Sequence, residues 1–315
     1  MPFVKPFHAF KPAKQLQEKV VTRPLENYST GEARLIASEN PYTFLHLINP
    51  ELDNPYLRGT RQELIYKKIA ENIDQFIESG VIERMENAAM YVYRVENNGM
   101  VQTGIWTLTH VNDYLSGKIK KHEHTVERRE KLLADYLQQT GLDANPVLIT
   151  YKPLKPVTVI IAKYLNTGSL MDFTFSDGSK HQVWSITEKD DMKQLQEAFA
   201  DLECVYIADG HHRIASMTKM GQHSASLNAD HNGTEGYNFF TSVYMDTNQV
   251  KVLEFNRLVR DLGGLTPEVL LNCLQKDFDI LPKETAFHPA RLHEIGMYLN
   301  GKWMKFCRHV EQLAV

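Results

Sequence analysis

The sequence predicts an α+β fold with mixed, largely antiparallel sheets and flanking helices. Three observations predict it. Hairpin turns at Asn97-Asn98-Gly99, Asp177-Gly178 and Asn300-Gly301 each separate two strand-like runs, and Asn-Gly and Asp-Gly favour the tight turns that join antiparallel strands. Helix-period segments interrupt these hairpins, the clearest being Thr60 to Ser79, where Ile65, Ile69, Ile73 and Phe76 repeat on one helical face. Strands and helices do not alternate regularly, which excludes a doubly wound parallel sheet.

Residues 1–30 are rich in proline and lysine and read as an irregular arm. Gly31 to Ser38 predicts a short helix that ends before Asn40-Pro41, and Phe44 to Ile48 predicts a strand. Gly80 closes the 60–79 helix, because glycine accepts the left-handed conformation that ends helices. Met90 to Val95 and Val101 to Leu108 form the first hairpin. Thr125 to Gln139 is helical, with Val126, Leu133, Tyr136 and Leu137 on one face and Gly141 as its stop. Val147 to Tyr151 is a strand, and Val157 to Leu165 fits strand or helix equally. Met171 to Phe175 pairs with Lys180 to Ile186, and Asp191 to Ala200 is helical.

Cys204 to Ala208 is a strand, Asp209 to Arg213 a turn, and Ile214 to Met220 a helix. A polar loop is expected from Gly221 to Gly236, then strands at Phe239 to Met245 and Lys251 to Phe255. Thr266 caps a helix reaching Phe278, with Pro267 at its first position, where no backbone donor is needed. Ile295 to Phe306 is the last hairpin. The expected organisation is an N-terminal arm (1–30), an α+β core (31–260) and a C-terminal helix with hairpin (261–315).

At 315 residues the chain exceeds the usual size of a single core, and 43% apolar with 23% charged residues is ordinary globular composition. A net charge of −4 gives no global electrostatic case for nucleic acid. No apolar run is long enough to span a membrane, and the start lacks a secretory apolar segment. Cys204, Cys273 and Cys307 show no paired spacing, as in a reducing compartment; the expected location is cytoplasmic.

The segment richest in chemistry is Asp209-Gly210-His211-His212-Arg213. A strand, a glycine turn and a helix start point free backbone N–H groups and a positive dipole end at whatever lies above the turn. Gly210 lets a phosphate approach the backbone, Arg213 can fork onto its oxygens, His211 and His212 can carry a proton, and Asp209 can hold a metal or orient a histidine. Two imidazoles beside a guanidinium disfavour each other's protonation unless an anion compensates. The plainer alternative is a helix-capping Asp with two surface histidines. A second segment is Lys120-Lys121-His122-Glu123-His124-Thr125, ahead of Glu127, Arg128 and Arg129. Extended, it puts His122 and His124 on one face with Glu123 opposite. Helical, it aligns Glu123 with Glu127 and Lys131, and His124 with Arg128. Glu123 offers a general base and the histidines a metal half-site, against a solvated helix start as the plain reading. Gly296 to Trp303 has phosphate-loop spacing, but Trp303 replaces the required hydroxyl residue and the flanks read as a hairpin.

The sequence resembles the domain-of-unknown-function family 1015 over about Arg23 to Phe306. The resemblance rests on Gly31-Glu32-Ala33-Arg34, Asn40-Pro41-Tyr42-Thr43-Phe44-Leu45, Tyr91-Val92-Tyr93-Arg94, Ile119 to Thr125 and above all Tyr206 to Arg213. Asn256-Arg257 stands where many members carry His-Arg, and the chain is shorter after Trp303 than longer relatives. The turn is also similar to the phosphate-gripping loop of the ParB/sulfiredoxin superfamily, which includes an enzyme that phosphorylates free serine and nucleotide-binding partitioning proteins. That likeness implies a ParB/sulfiredoxin-like core around the 209–213 turn.

The function expected is phosphoryl transfer, kinase- or phosphatase-like, on a small hydroxylated metabolite such as free serine. Glu123, His122, His124, Asp209, His211 and His212 would serve as catalytic groups; Gly210, His212, Arg213 and Arg128 would bind phosphate or nucleotide; Mg2+ with ATP or ADP would be the cofactor. The expected partner is a phosphorylated small molecule or nucleotide, not nucleic acid or membrane. The alternatives are a ParB-like nucleotide-binding module without turnover, and a metal-dependent hydrolase built on the histidines.

Overall fold

The computed structural model describes residues 2–57, 59, 61–251 and 256–309. The chain divides into two compact units, Met1–Lys251 and Val252–Val315. The larger unit is built on one nine-stranded sheet. Its strands are β1 (Val4–Lys5), β4 (Met90–Asn97), β5 (Met100–His110), β6 (Ile119–Lys120), β7 (Val147–Tyr151), β8 (Met171–Thr174), β9 (Lys180–Ile186), β10 (Val205–Asp209) and β11 (Phe239–Asp246). A separate pair joins β2 (Phe10–Pro12) to β3 (Ile82–Arg84). The helices of this unit are α1 (Gln17–Val20), α2 (Thr30–Glu39), α3 (Leu45–Ile48), α4 (Gln62–Glu78), α5 (Val111–Leu115), α6 (Glu127–Thr140), α7 (Lys155–Leu165), α8 (Lys189–Ala200) and α9 (His211–Leu227).

The main sheet runs in the order β6-β10-β7-β11-β5-β4-β9-β8, with β1 added to β5. Two of its pairings, β6 with β10 and β7 with β11, are parallel; the others are antiparallel. This is a mixed α+β architecture with a large mixed sheet and flanking helices. One face of the sheet carries Met90, Val92, Ile105, Ile149, Trp184, Ile186, Ile207 and Tyr244, which pack with Val157, Ile160 and Tyr164 of α7, Leu195 and Phe199 of α8, and Ile214 and Met217 of α9. Burying these side chains drives the sheet and helices together, at roughly 1.5–3 kcal/mol for each large apolar group removed from water.

The smaller unit holds α10 (Pro267–Leu274) and a three-stranded antiparallel sheet ordered β12 (Phe278–Lys283), β14 (Lys302–Arg308), β13 (Glu294–Leu299). Thr266 caps α10 by accepting the Val269 N–H at 3.3 Å. The phosphate-loop spacing is a hairpin in space, with Asn300 and Gly301 both at positive φ between β13 and β14.

Several local expectations change. Phe44 to Ile48 is not a strand: Leu45–Ile48 forms a single helical turn whose Leu45, His46 and Leu47 are all buried, so no alternation of inside and outside exists to support a strand. The ambiguous 157–165 stretch is helical, because Pro156 sits in the first turn of α7 and Val157, Ile160 and Tyr164 share its buried face. The loop expected from Gly221 begins only after Leu227, since Gly221 lies within α9. There it makes room for a close approach: a methyl group would stand 2.6 Å from the Tyr237 carbonyl oxygen. The helix from Thr266 stops at Leu274, and Phe278 opens a strand paired with β14. The first thirty residues, read as irregular, contribute β1, β2 and α1. The strand expected at Lys251 to Phe255 falls largely outside the described residues. No helix among the described residues is long and apolar enough to cross a membrane.

Candidate functional site

The two histidine-rich segments meet because β6 and β10 are parallel neighbours. Ile119 aligns with Val205 and Lys120 with Tyr206, so both strands leave the sheet at the same edge. The chain after β6 runs through His122, Glu123 and His124 into α6; the chain after β10 turns through Gly210 into α9. The outer ends of parallel strands are where open sheets place ligands. The β7 strand enters from this same edge, with Leu148 opposite Asp209 across a register shift between Ile207 and Asp209.

Gly210 has φ 99° and ψ 29°, a left-handed conformation that L side chains rarely adopt. It turns the chain sharply enough for α9 to start at His211. No side chain caps α9, and the first helical bond is Ile214 N–H to Gly210 O at 3.1 Å. The N–H groups of His211, His212 and Arg213 therefore have no partner within the helix. The neighbouring α6 has the same property: Val126 precedes it and no side chain caps it. Its first internal bonds come from the N–H groups of Arg129 and Glu130 to Val126 O, at 2.9 and 3.1 Å, which leaves those of Glu127 and Arg128 free of the helix. The two starts are tied directly, since the Val126 N–H donates to His212 Nε2 at 3.1 Å. His212 Nε2 is the acceptor of that bond.

His211 is only 5% exposed. Its Nδ1 lies 3.7 Å from Glu123 Oε2, and the His122 ring packs edge-on with centroids 4.4 Å apart. Its Nε2 is buried and has no hydrogen-bond partner. Burial, and next the neighbouring His122, push the His211 imidazole below its ordinary range; Glu123 and Asp209 oppose the shift. Among the described residues His211 Nε2 shares its unpartnered state with Arg94 Nε, Trp106 Nε1, Thr150 Oγ1, Ser185 Oγ and Thr241 Oγ1.

The donors of Arg213 are directed at protein oxygens. Nη1 donates to Asn145 Oδ1 at 2.7 Å, to Asn145 O at 3.2 Å and to Pro146 O, while Nη2 pairs with Asp209. The guanidinium thereby ties the entrance of β7 to the end of β10, and it lies against Gly210. Close by, Asp143 accepts the Thr241 N–H at 2.8 Å. Burial raises its carboxyl above the usual range, opposed by the Thr241 N–H and the charge of Arg213.

Between α6 and α9 runs a groove of about 640 Å³, lined among others by Glu127, Arg128, Lys131, Asp135, Lys219 and His223. Beneath it, buried Glu130 pairs with Lys219. Hydrogen bonds from Lys219 and Thr125 hold the Glu130 carboxyl below its ordinary range.

Of the residues singled out in the sequence, Glu123, His122, Asp209, Gly210, His211, His212 and Arg213 come together at this edge. Arg128 lies in the first turn of α6, with its side chain on the groove. Exposed His124 makes no hydrogen bond, ion pair or ring contact among the described residues. Asn145, Asp143 and the Val126 N–H were not foreseen. Asp143-Ala144-Asn145-Pro146 carries only a turn signal, and a backbone donor leaves no mark in a sequence. Among the described residues no group of three His, Cys, Asp or Glu side chains is placed to hold a metal ion.

Fold and site define a mixed α+β protein with a histidine-lined strand–glycine–helix turn at the edge of its sheet. Residues 4–314 match the family described as "Protein of unknown function (DUF1015)", and the chain belongs to that family. No curated protein and no solved structure matches it.

Proposed function

We propose that this edge binds a phosphate ester and that the protein transfers a phosphoryl group between a nucleotide and a small hydroxylated metabolite such as free serine. The observation that carries the reading is the side-by-side placement of two uncapped helix starts, α6 and α9, around the unpartnered Nε2 of His211. Free N–H groups and positive dipole ends favour an anion, and two converging helices add their fields. The likeness of the turn to the phosphate-gripping loop of the ParB/sulfiredoxin superfamily, and a core of that type, belong to the same proposal.

Phosphoryl transfer requires positioning and charge stabilisation more than covalent chemistry. Gly210 supplies the left-handed turn and leaves room for the Arg213 guanidinium beside it. His211, with Glu123 beside its Nδ1, is the base in this reading, and its buried Nε2 must be uncovered for an attacking hydroxyl to reach it. Arg213 holds the turn in shape, its charge paired with Asp209. Mg2+ arriving with ATP or ADP keeps most of its own waters and needs only one or two protein carboxylates; exposed Glu123 and Asp209 are those on offer, and the ion would neutralise phosphate charge. The net charge of −4 disfavours the DNA-associated alternative.

Calorimetric titration of the full chain with ATP, ADP, phosphoserine and inorganic phosphate, with and without Mg2+, tests the reading. Saturable binding that His211→Gln weakens at least about tenfold is expected, together with ATP-to-serine transfer visible by phosphorus NMR. If none of the four binds the unmodified protein, the proposal fails.

A further inference from the structure

The Arg213 guanidinium has an anchored side and an exchangeable side. Nη1 donates to Asn145 Oδ1 at 2.7 Å, to Asn145 O at 3.2 Å and to Pro146 O, all neutral acceptors on the chain entering β7. These bonds fix the group without cancelling its charge. The charge is met on Nη2 by Asp209, the one carboxylate in ion-pair contact with Arg213 among the described residues. Asp209 makes no other hydrogen bond or ion pair among them, and its side chain is 71% exposed against 22% for Arg213. An ion pair with one partner so open to water gains little over the hydrated charges and is readily traded. Were Asp209 to let go, the guanidinium would stay where Asn145 and Pro146 hold it, with Nη2 uncovered. Nη2 lies beside the turn, 3.1 Å from where a methyl group on Gly210 would stand. The N–H groups of His211 and His212 follow directly and have no partner within α9. The Asp209 carboxylate therefore marks a place at this turn where negatively charged oxygen is already held.

We propose that Asp209 is an internal stand-in for the ligand: its carboxylate covers Nη2 of Arg213 in the free protein, and the phosphate of the substrate takes its place. This rests on the phosphate-binding reading above and adds a built-in restraint on it. Phosphate binds only those molecules in which Asp209 has swung off, so the apparent affinity is lowered by the fraction that remains paired. The exchange favours the ligand because a phosphate can bridge Nη2 and the N–H groups at the start of α9, whereas Asp209 reaches Nη2 alone.

The test titrates the full chain with inorganic phosphate at fixed ionic strength, in the unmodified protein, Asp209→Asn, Arg213→Gln and the double variant. Asp209→Asn is expected to bind phosphate about fivefold tighter than the unmodified protein. The gain should vanish where Arg213 is already replaced, whereas a carboxylate that merely repels phosphate would give the same gain in both backgrounds. A second measurement leaves Arg213 untouched. In the unmodified chain carrying isotope-labelled aspartate, the Asp209 carboxyl carbon signal, assigned by its loss in Asp209→Asn, should shift as phosphate saturates. Equal or weaker phosphate binding by Asp209→Asn, a gain that persists without the guanidinium, or an Asp209 signal that phosphate leaves unmoved overturns the exchange while leaving the phosphate site standing. Absence of binding by both the unmodified protein and Asp209→Asn overturns both.

Discussion

Replacing Gly210 by Ala probes the turn on which the site is built. At φ 99° the backbone is in a region that costs a residue with a Cβ about 1–2 kcal/mol. The new methyl would also stand 3.0 Å from Arg213 Cζ and 3.1 Å from Nε and Nη2. These are tighter than ordinary contacts, so the guanidinium must retreat by a few tenths of an ångström. It is anchored to Asp209, Asn145 and Pro146, and charge-assisted bonds are worth roughly 1.5–3 kcal/mol each. Weakening one of them adds about 1–2 kcal/mol, for a total loss of about 2–4 kcal/mol. Urea unfolding of the two proteins, compared at unchanged slope, measures it. A double-mutant cycle with Arg213→Ala separates the contributions: without the guanidinium, Gly210→Ala should cost only the backbone part, giving a coupling of about 1–2 kcal/mol. Identical costs in both backgrounds would refute the clash, and a total below about 0.5 kcal/mol would refute the strained turn.

Two further outcomes concern pH. The folded protein holds the His211 imidazole below the unfolded value of about 6.5, so the unfolded chain takes up the proton first. The stability associated with neutral His211 is present above about 6.5 and is lost as pH falls toward the folded value; His211→Asn should flatten the stability profile across that window, and an unchanged profile counts against a buried neutral imidazole. Glu130 has the depressed carboxyl, so its pairing stabilises the fold above about 4.3 and ceases to do so as pH falls through its lower folded value. Lys219→Met should therefore be less stable than the natural chain at neutral pH, with the gap closing in acid; a gap constant with pH would show that the ion pair is not its source.

Much of the fold was legible because its signals are local. The hairpins at Asn98-Gly99 and Asn300-Gly301 and the α10 start at Thr266-Pro267 need only neighbouring residues to specify them, and each forms where its sequence indicates. The differences arise where distant contacts decide. Gly221 looks like a helix stop until the Tyr237 backbone is seen against it. Phe278 continues a helical pattern until β14 is there to pair with it. The histidine clusters announced themselves as clusters of titratable groups, but not how they meet: β6 is two residues long and gives almost no strand signal. The Arg213 fork was expected on phosphate oxygens; its engagement by Asn145 and Pro146 depends on the antiparallel pairing of β7 with β10, which no local pattern encodes.

The parallel pairing of β6 with β10 governs when this edge is completed. The Val126–His212 bond spans 86 residues, and the intervening chain holds α6, β7, α7, the β8–β9 hairpin, α8 and β10. Contacts so remote in sequence bear the entropy of closing a long loop before any stabilisation returns. A chain that has not yet delivered β10 holds only the β6–α6 half of this edge. The edge is therefore complete only once β10 and α9 have joined β6 and α6.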